Sequence, residues 1–344
     1  MNGDRMRFGL IGAGAIAQSY GQAFQELGHA AELVGIADVR LDAARTMAEV
    51  FGCPYFESHE DLAERTPCEA VIVCTPPSSH LEVARHFLER GVHVLCEKPL
   101  APDAASARQM IEAAEEHHVK LTMASKFRFV SDVVRAKNIV TSGILGDLIL
   151  FENAFTARVD MAGRWNANPK VSGGGVLIDN GTHSVDLMRY FLGPIAEVQV
   201  VEGKRMQALE VEDTVRIFIR SAGGVVGTVD LSWTINKECD SYIDIYGSHG
   251  TIRVGWKESK YRQSTSRDWV IFGTGYNKVD AFKKQIENFC AAIRGEDTLR
   301  VTAHDGLASV EVIEAAYRSL HSNNWVPVTA NGHSPAPSGI AVAA

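Results

Sequence analysis

Short apolar runs alternate with amphipathic helical patterns through the first 125 residues. The apolar runs predict strands at Arg7–Ile11, Leu33–Ala37, Ala70–Cys74, His93–Cys96 and Lys120–Met123. Apolar residues three or four positions apart predict helices at Arg40–Phe51, His80–Arg90 and Ala104–His118. Helices between short buried strands are typical of a parallel α/β sheet, so we predict a doubly wound α/β domain over residues 1–125.

The pattern changes after about Arg128. A helix is predicted over Ser131–Ser142, and the segments that follow alternate apolar and polar positions. The predicted strands are Leu148–Phe155, Ala196–Val201, Thr214–Arg220, Val225–Trp233 and Ser241–Tyr246. Such alternation predicts a mainly antiparallel sheet with one solvated or interface-forming face. Helices over Asp280–Arg294 and Asp305–Ser319 close a second domain at residues 126–328, and the Pro-containing tail 329–344 is predicted to be loosely ordered.

Composition narrows the protein class. A chain of 344 residues exceeds the usual single-domain size, in agreement with two domains. A net charge of −8 gives no general affinity for nucleic acid or for an anionic membrane. No apolar run approaches the roughly 20 residues needed to span a bilayer, and no signal peptide is visible. The six cysteines are scattered and predicted to be reduced, so we expect a cytoplasmic protein.

A glycine-rich turn, Gly12–Ala17, follows the first strand and opens a helix over Gln18–Leu27. Gly12 permits the tight turn, Gly14 lets a pyrophosphate approach the backbone, and Ala17 is small enough for helix and strand to pack closely. The helix N-terminus offers N–H groups and the positive end of its dipole to phosphates. Such a turn is a weak signal alone, but here the surrounding strands and helix predict a dinucleotide site.

The second strand ends at Asp38, about 20 residues beyond this turn, where an acidic residue binds the adenosine ribose. Its carboxylate would repel a 2′-phosphate, so NAD is favoured over NADP, although Arg40 could partly offset the repulsion or stack on adenine. The predicted cofactor contacts are Gly12, Gly14, Ala15, Ile16, Ala17, Asp38, Arg40, Thr75, Pro76, His80, Glu97 and Lys98.

Glu97-Lys98-Pro99 ends another predicted parallel strand. Strand C-termini border the ligand crevice of open α/β sheets, which would place Lys98 near the nicotinamide. A solvated turn ended by Pro99 explains the same residues equally well. Position alone leaves both interpretations open.

The segment Gly173–Asp186 contains three consecutive glycines and then Asp179 and His183, four positions apart. On a helix these two side chains share a face. The glycines would allow close approach of a ligand or cofactor. A lone histidine is more often structural than catalytic, and Asp186 could orient the imidazole or pair elsewhere.

In this order and spacing, Gly12–Ala17, Glu97–Pro99 and Gly173–Asp186 resemble the glucose–fructose oxidoreductase/inositol dehydrogenase/MocA family. The resemblance extends to Asp305–Leu307 and Ala315–Ser319, and so covers nearly the whole chain except its tail. It implies a Rossmann domain followed by an α/β domain with a large open sheet. Such a sheet often mediates oligomerisation, so a homodimer or homotetramer is expected.

The resemblance also implies a catalytic trio of Lys98, Asp179 and His183, and none of the three is replaced. It implies NAD-dependent hydride transfer between the cofactor and a secondary alcohol or ketone of a sugar or cyclitol, as in an inositol dehydrogenase. His183 is the candidate base because imidazole titrates near neutral pH. Lys98 would stabilise alkoxide charge and disfavour protonated His183, and Asp179 would bind an adjacent hydroxyl or orient the other two.

The resemblance places further segments around the substrate. The predicted substrate contacts are Lys126, Arg128, Arg158, Arg164, Trp165, Asn168, Asp179, Asn180 and His183, with Thr182 helping to tune substrate choice. Arg164 and Trp165 could supply a planar cation and an apolar wall. We expect at least two of the four basic residues to be ordinary surface residues. If two or more of these basic side chains converge on the substrate pocket, a phosphorylated or nucleotide-linked sugar is favoured. If they do not converge, a neutral inositol or aldose fits better.

Two other functions remain open. The first is a 3-dehydrogenase or ketoreductase of nucleotide sugars or sugar phosphates. The second is a non-catalytic NAD(H)-binding redox sensor, against which the retained trio counts. A metal-dependent dehydrogenase is rejected, because the histidines of the nucleotide domain have no Cys or Asp residues at zinc-ligand spacing nearby.

Overall fold

The structure is a computed structural model that describes residues 5–28 and 30–328, so the predicted loose tail lies outside the described residues. Its strands form one six-stranded and one nine-stranded sheet. None of the helices in these two ranges is both long and apolar enough to cross a bilayer.

The first sheet is entirely parallel. Its strands are β1 (Met6–Ile11), β2 (Ala31–Ala37), β3 (Tyr55–Phe56), β4 (Ala70–Val73), β5 (His93–Cys96) and β6 (Leu121–Met123). They are ordered β3-β2-β1-β4-β5-β6. The order reverses between β1 and β4, and the carboxyl ends of these two strands therefore border a ligand crevice. All five predicted strands are confirmed.

Five helices connect these strands. They are α1 (Ala15–Glu26), α2 (Leu41–Phe51), α3 (His59–Arg65), α4 (His80–Leu88) and α5 (Ala104–Glu116). Ser58 caps α3 by accepting a hydrogen bond from the backbone N–H of Asp61, and Asp103 caps α5 in the same way through Ser106. Local sequence signals therefore define where these helices begin.

The second sheet is mainly antiparallel, as predicted, with one parallel pair between β7 and β10. Its strands are β7 (Leu148–Thr156), β8 (Ile195–Glu202), β9 (Thr214–Ser221), β10 (Val226–Ser232), β11 (Ser241–Gly247), β12 (Gly250–Gly255), β13 (Ser259–Gln263), β14 (Val270–Gly273) and β15 (Val326–Pro327). They are ordered β14-β13-β12-β11-β7-β10-β9-β8-β15. The sequence did not predict β12 to β15, because they are short and β13 is almost wholly polar.

The remaining helices are α6 (Ser131–Thr141), α7 (Pro169–Ser172), α8 (Val176–Leu192), α9 (Lys278–Arg294) and α10 (Ala303–Ser322). Helices α8 and α10 cover one face of the second sheet. Along β9, Val215, Ile217 and Ile219 are buried on that face, while Arg216 and Arg220 point to the other face and are exposed. This alternation leaves the second face of the sheet open.

Helix α9 returns to the first sheet after the second sheet has been built. Its Phe282 ring lies 4.6 Å from that of Tyr20 on α1, and its Phe289 ring lies 6.3 Å from that of Phe8 on β1. All four rings belong to one buried apolar cluster. The predicted boundary at residue 126 therefore does not separate two independent cores.

Candidate active site

The glycine-rich turn between β1 and α1 is built to hold a ligand. Gly12 has a φ of +92°, and a Cβ there would lie 2.8 Å from the carbonyl group of Cys74, so only glycine fits beneath the end of β4. A Cβ at Gly14 would meet nothing within 4 Å, so the space above it is open. No side chain caps the N-terminus of α1, which leaves its first N–H groups available to phosphate oxygens.

Asp38 closes the other side of this turn. Its Oδ2 accepts a hydrogen bond from the backbone N–H of Ala13 at 2.7 Å, and its Oδ1 accepts one from the N–H of Arg40 at 2.8 Å. The Arg40 Nε lies 3.7 Å from the same carboxylate. The carboxylate is thus held in place beside the cleft, where ribose hydroxyls could donate to its remaining lone pairs.

A cleft of about 580 Å³ runs past these residues. It is also lined by Glu57 to Glu60, by Thr75 and Pro76 after β4, and by Trp165 from the segment after β7. The Thr75 Oγ1 is buried and has no hydrogen-bond partner among the described residues. An unpaired hydroxyl and an open glycine turn along one cleft fit a dinucleotide, whose polar atoms would satisfy both.

We expect NADH to bind at least tenfold more tightly than NADPH, because a 2′-phosphate would meet the fixed Asp38 carboxylate. Asp38→Asn should weaken NADH binding and reduce the difference in affinity between NADH and NADPH. Fluorescence titration with each cofactor measures both affinities. Asp42→Asn, at an exposed position in the first turn of α2, serves as the control. Tighter binding of NADPH than of NADH by the unaltered protein would contradict this prediction.

His80 was predicted to touch the cofactor, but the structure corrects that expectation. Its side chain is fully buried, and its ring nitrogens lie 2.9 Å from the carbonyl oxygens of Thr75 and Pro99. Burial lowers the pKa of His80 below its usual value. His80 therefore joins the loop after β4 to the loop that carries Lys98, and positions both.

Glu97 also lies in a buried network. Its Oε1 accepts a hydrogen bond from the hydroxyl of Tyr20 at 2.9 Å, and Gln285 on α9 donates to the same hydroxyl at 3.1 Å. Burial raises the pKa of Glu97. Tyr20 and Gln285 carry no sequence signal for this role, because each lies within an ordinary amphipathic helix.

Lys98 reaches from the end of β5 to helix α8. Its Nζ donates to the Asp179 Oδ1 at 2.5 Å and to the Asp179 carbonyl oxygen at 3.0 Å. The two side chains are only 16% and 21% exposed. An ammonium group has three N–H donors, and no third partner lies among the described residues, so one donor remains for a substrate oxygen.

His183 follows Asp179 by one turn of α8, as the spacing predicted. Its ring meets the Phe127 ring edge-on, with 5.1 Å between their centroids. Its nitrogens make no hydrogen bond within the described part of the chain. Burial, and then the charges of Lys98 and Lys126, hold the pKa of His183 well below its usual 6.5. The imidazole is therefore neutral at pH 7 and can accept a proton.

The glycines before α8 admit protein groups and not a ligand, which corrects the expectation from the sequence. A Cβ at Gly174 would lie 1.8 Å from the Tyr317 hydroxyl, and one at Gly175 would lie 2.1 Å from the Glu212 carbonyl oxygen. The Glu212 carboxylate accepts hydrogen bonds from the Gly175 and Leu177 backbone and from Tyr317, at 2.8–3.0 Å. These contacts position the start of the helix that carries Asp179 and His183.

Arg128 is a scaffold residue, so the predicted substrate contact is corrected. Its guanidinium is buried and holds Asp186 with two hydrogen bonds of 2.9 and 2.6 Å. Asp305 lies 3.5 Å away on its other side. Asp186 therefore pairs with Arg128 and does not orient His183. This pairing was one of the two roles open to Asp186 in the sequence.

Asp186→Asn is expected to lower the free energy of unfolding by about 3 kcal/mol. This value is the lower end of the range for breaking a buried ion pair, because Asp305 remains beside Arg128 and partly neutralises its charge. Urea denaturation would measure this. The control is Glu89→Gln, which breaks the exposed Arg85–Glu89 pair and should change little. Equal effects of the two substitutions would contradict the structural role assigned to Arg128.

Several other predicted contacts lie apart from the trio or on the protein surface. The side chains of Arg158 and Arg164 are exposed and make no hydrogen bond or ion pair within the described residues, and Trp165 borders the cofactor cleft. The exposed Asn168 accepts a hydrogen bond from the N–H of Lys170 and caps a short helix. Two of the four basic side chains, those of Arg158 and Arg164, are therefore at the protein surface.

Nearer the trio, Asn180 donates to the Phe155 carbonyl oxygen at 3.4 Å, while the Thr182 hydroxyl is buried and donates back to Ile178 within the helix. Thr182 therefore supports the helix and does not face a ligand. Lys126 is partly buried close to the trio. Phe127, which the sequence analysis missed, lies between two residues predicted as substrate contacts.

The described residues contain no group of three or more His, Cys, Asp or Glu side chains arranged to hold a metal ion. The polar side chains of the trio are one lysine, one aspartate and one histidine, and the first two already bond to each other. A lysine, an aspartate and a histidine are side chains that can bind and transfer a proton beside a nicotinamide.

Comparison with known proteins agrees with this arrangement. Residues 6–125 match the Gfo/Idh/MocA oxidoreductase family model for its NAD-binding Rossmann fold, and residues 137–328 match the model for its C-terminal α/β domain. Inositol 2-dehydrogenase of Rhizobium meliloti is 25% identical, with 94% of this chain and 99% of that protein aligned. Glucose-6-phosphate 3-dehydrogenase of Bacillus subtilis is 24% identical, over 94% of this chain and 99% of that protein.

Among solved structures, levoglucosan dehydrogenase in complex with NADH and levoglucosan has the same fold. The TM-score is 0.87 at 21% identity, covering 94% of this chain and all of that chain. The two family models together cover most of the chain, including the glycine-rich turn and all three members of the trio. The chain therefore belongs to the glucose–fructose oxidoreductase/inositol dehydrogenase/MocA family and is an NAD-dependent oxidoreductase.

Proposed function

We propose that this protein is a dehydrogenase that interconverts a secondary alcohol and a ketone on a sugar or cyclitol. The observation that carries the proposal is the assembly of Lys98, Asp179 and a neutral His183 where the first sheet meets α8. The inositol 2-dehydrogenase relative acts on a cyclitol, and levoglucosan dehydrogenase was crystallised with levoglucosan, which supports this substrate class.

The geometry supports one step for each residue of the trio. The glycine-rich turn and Asp38 would hold NAD⁺, which would supply the acceptor for the hydride of the carbinol carbon. The hydroxyl hydrogen leaves as a proton, which a free ring nitrogen of His183 receives. The remaining N–H of Lys98 donates to the oxygen as negative charge develops on it, and Asp179 fixes the direction of that ammonium. Alcohol and NAD⁺ thus become ketone, NADH and one proton.

A second candidate is a 3-dehydrogenase or ketoreductase of sugar phosphates or nucleotide sugars. The glucose-6-phosphate 3-dehydrogenase relative supports it. Arg128 is engaged by Asp186 and the Arg158 and Arg164 side chains are exposed, so none of these three arginines offers a buried and unpaired guanidinium fork to grip a phosphate. We therefore favour a sugar or cyclitol without phosphate. A redox sensor would have no use for the free imidazole of His183.

The deciding experiment is reduction of NAD⁺ across inositols, aldoses, sugar acids, sugar phosphates and nucleotide sugars, with His183→Ala as control. Turnover of one class that is lost in the variant would support the proposal. NADH binding without turnover of any class, in both directions of the reaction, would overturn it in favour of the sensor.

We also propose a homodimer or homotetramer that associates through the open face of the second sheet. That face exposes Leu150 and Val201 among charged residues, a mixture typical of interfaces. Light scattering at micromolar concentration should give a multiple of 37.4 kDa, and Leu150→Glu should lower the mass. A monomeric mass for the unaltered protein would refute this. A cytoplasmic location stays a prediction from the sequence.

A further inference from the structure

A second lysine lies beside the proposed proton-transfer residues. Lys126 begins the short turn after β6, and its Nζ lies 5.4 Å from the centre of the Phe127 ring and 5.8 Å from that of Phe282. The side chain is partly buried. It forms no hydrogen bond or ion pair with any residue in the described ranges. An ammonium group in this position has lost part of its hydration and has gained only aromatic contacts in return.

The charged groups around Lys126 come from three elements. Glu97 and Lys98 follow β5, Asp179 and His183 lie on α8, and Lys278 begins α9. Glu97 bonds to two neutral donors, the Tyr20 hydroxyl and the N–H of Lys98, and Asp179 holds the Lys98 ammonium. Glu97 attracts the Lys126 charge from a distance, but no carboxylate of the described residues forms a direct ion pair with Lys126.

The protonation state of Lys126 follows from this setting. Burial lowers its pKa to about 8, with Lys98 and Lys278 adding to the shift while Glu97 and Asp179 oppose it. At pH 7 the group is thus mainly an ammonium. A bound anion would stabilise that form and raise its pKa again.

The Phe127 ring connects Lys126 to the chemistry. The ring of His183 meets it edge-on, the ring of Tyr276 stacks on it with centroids 5.3 Å apart, and the Lys126 Nζ lies over it. The candidate base and the cation without an ion-pair partner in the described chain therefore both lie against the same aromatic ring. A ligand whose hydroxyl reaches His183 would carry its other substituents past this ring towards Lys126.

We propose that Lys126 binds a carboxylate on the substrate, so that the enzyme acts on sugar acids such as uronates, aldonates or carboxylated cyclitols. This inference rests on the proposed dehydrogenase function and narrows its substrate class. A carboxylate carries one negative charge, which a single partly buried ammonium can neutralise. A phosphate dianion is held best by a guanidinium fork, and the Arg128 guanidinium is already engaged by Asp186.

The test compares sugars that differ only in charge. D-glucuronate, D-glucose and D-glucose 6-phosphate, with the corresponding galactose series, are assayed with the unaltered protein, Lys126→Met and Lys126→Arg. Lys137→Met is the matched control, because Lys137 is another partly buried lysine, 5.4 Å from the ring of Tyr190 and outside the site. The unaltered protein should prefer the uronate. Lys126→Met should lower the ratio of kcat/KM for uronate to that for neutral sugar by about 10–100-fold, the usual range for a hydrogen bond to a charged group.

Binding is measured separately from turnover. Calorimetric titration of the NADH-loaded protein with D-glucuronate should show affinity falling as the pH rises through about 8, because Lys126 then loses its proton. Lys126→Arg should abolish that fall and Lys126→Met should weaken binding at every pH.

The outcomes separate this inference from the proposed function. Preference for neutral sugars by the unaltered protein, or equal loss on all sugars in Lys126→Met, would overturn the carboxylate assignment and leave the dehydrogenase proposal standing. If the unaltered protein prefers glucose 6-phosphate, Lys126 binds a phosphate on the substrate and the carboxylate assignment is wrong. Weaker NADH binding in Lys126→Met would assign the lysine to the cofactor. Lys126-dependent binding of uronate without turnover of any sugar would support the inference and overturn the proposed reaction.

Discussion

Replacing His183 by alanine is expected to lower kcat by about 10²–10⁴-fold, the usual contribution of general acid–base assistance. The physical reason is that His183 is a neutral imidazole with ring nitrogens left free by the residues the structure describes, whereas both ring nitrogens of the nearby His80 are engaged by the carbonyl oxygens of Thr75 and Pro99. Steady-state kinetics on the best substrate of the panel measures the loss, and NADH titration should give an unchanged Kd. Imidazole added to the variant should restore part of the rate.

His304→Ala is the control, since that side chain is 68% exposed at the start of α10. Unchanged turnover in His183→Ala would mean that another group takes the proton. If His183→Ala loses both NADH binding and turnover, the substitution disturbs the cofactor cleft. The assignment of His183 as the base would then depend only on whether added imidazole restores activity.

The pH profile provides a second measurement of the same residue. Burial and two nearby ammonium groups lower the pKa of His183, so the imidazole stays neutral, and active as a base, to well below pH 6.5. The acid limb of kcat/KM for a neutral substrate should therefore lie below that pH. In Lys126→Met the limb should move to higher pH, because removing a positive neighbour makes protonation of His183 easier.

Replacing Lys98 by methionine is expected to reduce kcat by about 10²–10³-fold, comparable to the loss of one donor that stabilises an oxyanion. Methionine keeps most of the length of the side chain but supplies no donor to the substrate oxygen and no partner to Asp179. The Kd for NADH should change little, because the ammonium is held by Asp179 and not by the glycine-rich turn.

Lys120→Met is the matched control at the amino end of β6, far from the carboxyl ends of the strands. If Lys98→Met mainly abolishes NADH binding, Lys98 belongs to the cofactor site and not to the substrate oxygen. If Lys98→Met and Asp179→Asn each cause a similar loss and the double variant is no worse, the two residues act as a unit.

Local patterns determined the first sheet and the cofactor turn. Parallel strands buried on both faces are continuous apolar runs, and the helices between them have apolar stripes, so both are recognisable without knowledge of their neighbours. The turn at Gly12 and the carboxylate at Asp38 are likewise specified by short-range geometry. The four-residue spacing of Asp179 and His183 placed them on one helical face before any contact was known.

What the sequence left open depended on contacts between residues distant along the chain. The periodicity of apolar positions predicts that a residue is buried, but it does not predict which residues pack against it. Arg128 was a plausible anion contact until the fold placed Asp186 beside it, and the glycines at 173–175 were explained only by Tyr317 and Glu212. Helix α9 has an ordinary amphipathic pattern, yet it packs on the first sheet. That Lys126 has no direct ion-pair partner among the described residues became visible only when the fold placed it against the rings of Phe127 and Phe282.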